Sequence, residues 1–412
     1  MSPRPAFDLI VFGATSFVGR ILCRHLLERQ GAAGGMRWAL AGRSQSRLAA
    51  LREELGTGAA ALPILLADAS EAATLRAMCE RTRAVVSTVG PYALHGEPLV
   101  EACAATGTDY ADLTGEVQWI RRMIERHETA ARASGARIVH CCGFDSIPSD
   151  LGVHFLQREA TRRFGEPCER VKMRVKSVRG GISGGTAASM LNLVAEATKH
   201  PSLLAELANP YSLCPRGGPK RPRQPEVRVA RYDGDFRAWV APFLMGAINT
   251  RIVHRTNALA GDAYGASFRY DEAMITGRGV TGGLAAGALT AGMGGFALAG
   301  ALPPSRWALQ RFVLPAPGEG PSERAQANGM FDLRFHGRTS SGRTLRVKVT
   351  GDRDPGYGST AKMLGEAAAL LATGLPRGTP AGGFWTPATA FGDALVERLR
   401  EHAGVTFDVI DD

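Results

Sequence analysis

The 412-residue sequence is poor in lysine, which supplies only six of its 49 basic residues. The other 43 are arginines, whose planar guanidinium groups suit phosphates and carboxylates. With 39 acidic residues the net charge is +10, which predicts an anionic partner: a cofactor, an acidic carrier protein or an anionic membrane. The densest basic stretch, Arg216–Arg231, is proline-rich and lacks aromatic residues that could stack on bases. We therefore expect no nucleic-acid binding.

The sequence also lacks the signatures of disulfide and metal sites. Its seven cysteines are an odd number, none lies in a C-x-x-C motif, and none has histidine partners at zinc spacing. This spacing predicts no metal site. No secretory signal precedes the first predicted strand, so we expect a reduced, cytoplasmic location. Glycine and proline are abundant, with 50 and 23 residues, but they show no period, which excludes a collagen-like chain.

Residues 1–150 alternate short apolar runs with helical periods, which is the pattern of a parallel sheet covered on both faces. Six strands are predicted, from Asp8–Gly13 to Arg137–Cys142, with helices between them. This count matches a complete doubly wound dinucleotide-binding fold. The fold class predicted for the N-terminal part is therefore α/β, a Rossmann domain.

The remaining sequence has a different texture. Residues 151–358 contain longer segments of alternating polarity, such as Glu169–Val178, and predict a second, mixed α+β domain with a largely antiparallel sheet. This domain would bind substrate or form an oligomer. Residues 359–412 predict helices, which could return to the first domain.

One segment of the second domain, residues 279–305, contains no charged side chain. Its length would allow a membrane span, but it consists mostly of glycine and alanine. Small residues recur at four-residue spacing, from Gly283 to Gly287 and from Gly295 to Ala299, which allows close helix packing. We expect a buried or interfacial hairpin of helices; peripheral membrane contact and a true span are the alternatives.

The segment that follows the first predicted strand has the pattern of a dinucleotide-binding turn. It opens the first helix, where a pyrophosphate would meet free backbone N–H groups at the positive helix end. Gly13 permits the tight turn, Gly19 permits close helix–sheet packing, and Ser16 replaces the usual middle glycine. An ordinary strand–helix turn is the alternative. The cofactor-binding residues predicted here are Gly13, Ala14, Thr15, Ser16, Phe17, Val18 and Gly19.

The end of the second predicted strand favours NADP(H) over NAD(H). An NAD-dependent enzyme would carry an acidic residue there for the ribose hydroxyls, whereas this sequence has Arg43 and Ser44. Arg43 could pair with a 2′-phosphate and Ser44 could donate a hydroxyl, unless Ser44 only caps the next helix. Asp68 and Ala69 follow the third strand, where such folds contact adenine, although Asp68 could instead be a helix N-cap. The loop after the fourth strand should follow the pyrophosphate and the nicotinamide ribose, and consists of Thr88, Val89, Gly90, Pro91 and Tyr92.

Motifs spread over nearly the whole chain resemble those of the saccharopine dehydrogenase-like oxidoreductases. Within that family the sequence is most similar to the bacterial trans-acting enoyl reductases. The motifs are GATSFVG from Gly13, AGRS from Ala41, STVGPY from Ser87, YADLTGE from Tyr110, GFDSIPSD from Gly143, SGGT from Ser183, PGEGP from Pro317 and GYGSTAKM from Gly356.

The resemblance implies an NADP-binding Rossmann domain and hydride delivery to the β-carbon of an unsaturated acyl thioester. An acyl carrier protein or a polyketide synthase would present that thioester during the synthesis of complex lipids. A homodimer is expected because it is the common state of such enzymes. The alternatives are an imine or carbonyl reductase of amino-acid-derived substrates, and a non-catalytic NADP-binding lipid or scaffold protein.

Enoyl reduction also needs a proton donor for the α-carbon. The candidates are Tyr92, Tyr110 and Asp145, because each follows or ends a predicted strand at the ligand-binding edge of the sheet. Asp112 could orient Tyr110 or cap a helix, and Tyr110 could simply be buried. Asp145 could instead hold the nicotinamide or cap a helix. No histidine belongs to a recognisable catalytic pattern. Candidate substrate contacts in the second domain are Ser183–Thr186, Asn249 and Arg251.

Overall fold

The computed structural model describes residues 5–32, 34–180, 184–200, 202–313 and 320–410. These residues form two compact units. The first unit contains residues 5–145, Gly320 and Gly356–Ala403, and the second contains the other described residues. The boundary at Asp145 lies five residues before the predicted one.

Regular secondary structure fills both units. The strands are β1 (Phe7–Phe12), β2 (Trp38–Gly42), β3 (Ile64–Leu66), β4 (Thr82–Ser87), β5 (Asp109–Asp112), β6 (Arg137–Val139), β7 (Cys168–Arg179), β8 (Arg231–Asp233), β9 (Ala238–Ala241), β10 (Arg269–Gly277), β11 (Met330–Thr339), β12 (Thr344–Gly351), β13 (Gly383–Trp385) and β14 (Val405–Ile410). The α-helices are α1 (Phe17–Gln30), α2 (Gln45–Glu54), α3 (Ala72–Cys79), α4 (Tyr92–His95), α5 (Glu97–Thr106), α6 (Val117–Ser134), α7 (Ile147–Phe164), α8 (Gly184–Lys199), α9 (Ser202–Ala208), α10 (Gly246–Leu259), α11 (Gly279–Ala301), α12 (Pro303–Ala308), α13 (Glu323–Ala327), α14 (Gly358–Ala369) and α15 (Pro387–His402). A 3₁₀ turn spans Thr57–Ala59, and π-helical turns span Leu309–Val313 and Leu370–Gly374.

The first unit is built on a parallel sheet with strand order β13-β6-β5-β4-β1-β2-β3. All six residues of β1 (FDLIVF) are buried, as expected for a strand covered by helices on both faces. The chain reverses direction across the sheet between β1 and β4, which creates the crevice where open parallel sheets bind ligands. This arrangement confirms the predicted Rossmann domain.

A seventh strand, β13, extends this sheet and was not predicted. It consists of three residues, which pair in parallel with β6 through Phe384 and Ile138. Thr386 then starts α15 with a reciprocal capping interaction with Thr389. The segment lies outside the apolar runs from which the other strands of this sheet were predicted, and its pairing with β6 depends on residues far away in the sequence.

The segment between β12 and β14 belongs to the first unit because α14 packs on α1. Glu366 on α14 accepts hydrogen bonds from His25 on α1 (2.9 Å) and from Arg398 on α15 (2.8 Å). Burial alone would raise the pKa of Glu366, but these hydrogen bonds and positive charges lower it to about 2. The predicted helical tail differs at its end, since residues 405–410 form a strand of the second sheet.

The second unit contains a sheet with strand order β14-β12-β11-β7-β10-β9-β8. All neighbouring strands are antiparallel except β7 and β10. β12 alternates buried and half-exposed residues along its length, which gives the sheet one covered face. In the interior, Arg174 forms ion pairs with Asp233 (2.7 Å) and Asp271 (2.6 Å). The predicted α+β domain with a largely antiparallel sheet is confirmed.

The uncharged segment 279–305 differs from the predicted hairpin of helices. It forms one long helix, α11, followed by the short helix α12. Only Gly282, Ala286 and Gly300 of α11 are buried. At these positions the small residues let one side of the helix approach the second sheet and α8. Among the described residues, α11 is the one helix long and apolar enough to cross a bilayer, judged by length and composition.

Candidate cofactor and active site

The turn between β1 and α1 lies at the carboxyl edge of the parallel sheet. Gly13 has φ +83°, and an added Cβ would lie 2.7 Å from Val89 and 2.8 Å from the Thr88 hydroxyl. At Gly19, an added Cβ would lie 2.3 Å from the carbonyl oxygen of Gly13. Side chains are therefore excluded at both positions, for backbone conformation at the first and for close helix–sheet packing at the second.

Ser16 links this turn to the loop after β4. Its hydroxyl accepts a hydrogen bond from the backbone N–H of Gly19 (2.9 Å) and lies 2.8 Å from the Thr88 hydroxyl. Thr88 in turn donates to the carbonyl oxygen of Gly13 (2.9 Å). The two loops predicted to hold the pyrophosphate are thus fixed to each other beside the N-terminus of α1. Of the other residues predicted to bind the cofactor here, Ala14 and Thr15 lie between β1 and α1, and Phe17 and Val18 lie in the first turn of α1.

The residues predicted to recognise the adenosine end lie after β2 and β3. Arg43 is exposed, and Ser44 caps α2 by accepting from the N–H of Arg47 (3.4 Å). Asp68 accepts hydrogen bonds from the backbone and the hydroxyl of Ser70 (2.9 and 2.7 Å), which lower its pKa, and the charge of Arg43 contributes. Arg43 and Asp68 therefore lie near each other. The alternative role of Asp68 as a helix cap is wrong, because α3 begins after Glu71.

Tyr92 ends the predicted nicotinamide loop, which also includes Gly90 and Pro91. Its hydroxyl donates to the carbonyl oxygen of Ser87 (2.9 Å), and its ring packs 5.4 Å from that of Trp119. Burial, with Asp112 nearby, raises the pKa of Tyr92 well above its usual value. The carboxylate of Glu116 accepts the backbone N–H groups of Tyr92 and the next residue (both 2.9 Å). These contacts indicate that Tyr92 stabilises the loop after β4 rather than donating a proton.

Tyr110 lies within β5 and is completely buried. Burial and the charge of Asp112 raise the pKa of its hydroxyl well above the usual value. Its ring packs edge-on to that of His140, with 5.8 Å between the ring centres. These contacts match the alternative in which Tyr110 belongs to the core.

A buried Asp–His pair, which the sequence did not reveal, joins the ends of β5 and β6. Asp112 Oδ2 lies 2.7 Å from His140 Nδ1, and Asp112 Oδ1 accepts the backbone N–H groups of Thr114 (3.1 Å) and Cys141 (3.2 Å). Cys141 has φ +62°, and its hydrogen bond to Asp112 helps to maintain this backbone conformation. A polar residue at the end of each of two consecutive strands was the available signal.

Asp145 follows His140 of this Asp–His pair by five residues and lies at the carboxyl edge of the sheet. The residue is half-buried, and its Oδ2 atom is buried. Burial, together with the charge of Asp112, raises its pKa from 3.8 to about 8. An added Cβ at Gly143 would lie 2.7 Å from Asp145 Oδ2, and Thr360 accepts the N–H of Phe144 (2.9 Å). A carboxyl group in this environment retains its proton at neutral pH, so it can donate one.

The second unit has its own buried polar chain near the start of α7. Ser146 donates to Asn249 Oδ1 (3.0 Å), and Asn249 donates to Glu272 Oε2 (2.9 Å). Tyr270 donates to the other oxygen of Glu272 (2.6 Å), and burial raises the pKa of Glu272 to about 7. Arg251 donates to the carbonyl oxygens of Ala247 and Leu207 and is buried, so its contacts are structural. The predicted contact at Ser183 lies outside the described residues.

The chain is similar to known proteins in sequence and in fold. The family model of the saccharopine dehydrogenase NADP binding domain matches residues 9–139. Over its full length the chain is similar to trans-acting enoyl reductases of Mycobacterium ulcerans (40% identical over 411 residues, 97% of each chain) and Mycobacterium leprae (38% over 418 residues, 98% of each chain). The structure is similar to that of apo saccharopine dehydrogenase (L-Glu forming) from Saccharomyces cerevisiae, with a TM-score of 0.55, 12% identity and coverage of 98% and 99%. At that identity the structural likeness concerns the fold alone.

Proposed function

The chain belongs to the saccharopine dehydrogenase-like oxidoreductases, as do its trans-acting enoyl reductase relatives, and from this premise we propose that it reduces an α,β-unsaturated acyl thioester. It is an NADP-dependent oxidoreductase. The single observation that carries the proposal is the buried carboxyl oxygen of Asp145 at the carboxyl edge of the parallel sheet, where burial and the charge of Asp112 raise its pKa to about 8. Alkene reduction requires such a donor in addition to hydride.

The first unit fits NADP(H) through its backbone as much as through its side chains. Gly13 lets the turn after β1 pack against the loop after β4, since a Cβ there would collide with Val89 and Thr88, and this contact holds the two predicted pyrophosphate loops together. The N-terminus of α1 directs free N–H groups to the same place. The exposed guanidinium of Arg43 supplies the positive charge for the 2′-phosphate. When bound, NADPH supplies the hydride.

In the proposed reaction, hydride adds to the β-carbon while the alkene electrons move toward the α-carbon and the thioester oxygen. Asp145 then gives its proton to the α-carbon, which yields the saturated thioester and a carboxylate. The negative charge of Asp112 makes that carboxylate costly, so Asp145 regains a proton from water before the next turnover. Asp112 and His140 act as positioning residues, because they fix the loop that carries Asp145.

We further propose that an acyl carrier protein or polyketide synthase presents the thioester. The net charge of +10, carried mainly by arginine, favours an acidic carrier protein. Salt should therefore weaken association with acyl carrier protein in a pull-down. Association that does not respond to salt would contradict this part of the proposal.

The decisive experiment incubates the protein with NADPH and an α,β-unsaturated acyl thioester and follows NADPH absorbance and product mass. The expected product has gained two hydrogens, and deuteride from labelled NADPH is found at the β-carbon. Arg43→Ala serves as a cofactor-site control with reduced turnover at low NADPH. Consumption of NADPH only with a ketone or an imine would replace the enoyl assignment. Binding of NADPH without turnover of a carrier-bound thioester would favour a non-catalytic role.

A further inference from the structure

The exposed apolar surface of the second unit is concentrated on α11, α12 and the turn that follows. Within the described residues, twelve large apolar side chains are exposed, and six of them lie between residues 280 and 312. They are Val280, Leu284, Leu298, Leu302, Trp307 and Phe312, each at least 55% exposed. Such a concentration of exposed apolar side chains on one segment is typical of an interaction site.

The residues on the outer face of α11 are arranged symmetrically about one position. Leu284, Gly287, Ala291, Gly295 and Leu298 are all exposed and lie within an arc of about 80° on the helix. Reading outward from Ala291 in either direction, a glycine follows after four residues and a leucine after seven. The face is therefore a palindrome with small residues in the middle and leucines at both ends.

A palindromic helix face is self-complementary when two copies cross antiparallel. In a twofold contact, residue i meets residue j of the other copy, and j meets i. With Ala291 on the axis, Leu284 would meet Leu298 of the second copy and Gly287 would meet Gly295. The small central residues let the two backbones approach closely, as in small-xxx-small helix pairs.

From this pattern we propose that the protein forms a homodimer through antiparallel contact of α11 helices, with Ala291 at the twofold axis. The central glycines are open to a partner, because an added Cβ at Gly287 or Gly295 meets no described atom within 4 Å. A bilayer would require neither the symmetry nor the small centre, since burial in lipid favours large apolar side chains. The adjacent Trp307 and Phe312 would enlarge what is otherwise a small interface.

Substitution of the open glycines tests the contact without disturbing the monomer. Gly287→Leu and Gly295→Leu should raise the dimer dissociation constant about 5–150-fold, because a large side chain separates the helices. Gly292→Leu is the matched control: Gly292 is also exposed and open, but it lies about 100° from Ala291 around the helix. Sedimentation velocity should show dimeric wild-type and Gly292→Leu protein at concentrations where the two face variants are monomeric.

Engineered cysteines test the direction of the helices. All seven native cysteines are buried, so new surface thiols would react selectively. Mild oxidation should cross-link Ala291→Cys to itself, and Leu284→Cys only to Leu298→Cys. Leu284→Cys should not cross-link to itself, because fourteen residues of helix separate the two positions by about 21 Å.

Three results would overturn the proposal. These are self-cross-linking of Leu284→Cys, equal effects of Gly287→Leu and Gly292→Leu, and a wild-type monomer. A monomer that co-sediments with vesicles of phosphatidylcholine and phosphatidylglycerol would show that α11 meets a membrane instead.

Discussion

Replacing Asp145 with asparagine should stabilise the protein while it abolishes the proposed proton transfer. The pKa of Asp145 rises from 3.8 in an exposed carboxyl to about 8 in the fold. Below pH 4 the group is protonated in both the folded and the unfolded chain, so it does not affect stability. Between pH 4 and pH 8 only the unfolded chain loses the proton, and the folded state is progressively disfavoured. Above pH 8 the cost is constant.

The magnitude follows from the pKa values, at up to about 1.4 kcal/mol for each pH unit in that interval. The free energy of unfolding of Asp145→Asn should therefore exceed that of wild type by an amount that grows by about 2–4 kcal/mol from pH 5 to pH 8. Urea unfolding followed by circular dichroism measures this difference. Asp408→Asn is a control, because its ion pair with Lys348 is exposed and contributes under about 1 kcal/mol.

The same variant tests the chemistry. Asp145→Asn should lower kcat by about 10²–10⁴-fold, the usual contribution of a positioned general acid. Wild-type activity should fall above about pH 8 as Asp145 loses its proton, and the residual activity of the variant should lack that fall. A stability gap that stays constant from pH 5 to pH 8 would refute the raised pKa. Unchanged kcat would refute the role of Asp145.

Three further predictions concern Arg43, Gly19 in the turn after β1, and Asp112 near Asp145. Arg43→Ala should weaken NADPH about 10–100-fold and NADH hardly at all, because it removes the charged partner of the 2′-phosphate; equal losses in fluorescence titrations would contradict that contact. Gly19→Ala should cost about 2 kcal/mol or more in thermal unfolding, since its Cβ would lie 2.3 Å from the Gly13 carbonyl oxygen. Asp112→Asn should move the alkaline fall of activity to lower pH, because the charge of Asp112 raises the pKa of Asp145; an unmoved profile would show that burial alone is responsible.

Local signals predicted several elements of the first unit. Helix α1 begins after Ser16 and ends at Gln30, as predicted, because a serine cap, a glycine turn and an apolar period all lie within adjacent residues. Strand β5 also has its predicted bounds. Arg43 directly follows β2, but its contact with a 2′-phosphate stays a prediction.

Features that depend on distant residues were harder to predict. The Asp112–His140 pair joins residues 28 positions apart, and β13 pairs with β6 from a distant part of the chain. The hairpin expected for residues 279–305 was wrong because glycine and alanine allow burial without requiring it. Which side of such a helix is covered depends on the surfaces that fold against it.

The two-part α/β architecture and the assignment of NADP(H) could be predicted from the sequence, because both depend on neighbouring residues and on the order of elements along the chain. The pKa of the candidate acid, in contrast, depends on the folded structure. Burial of its carboxyl group and the charge of Asp112, 33 residues earlier in the chain, raise the pKa of Asp145 to about 8. Electrostatic energy depends on distance and on burial, and a linear sequence contains neither.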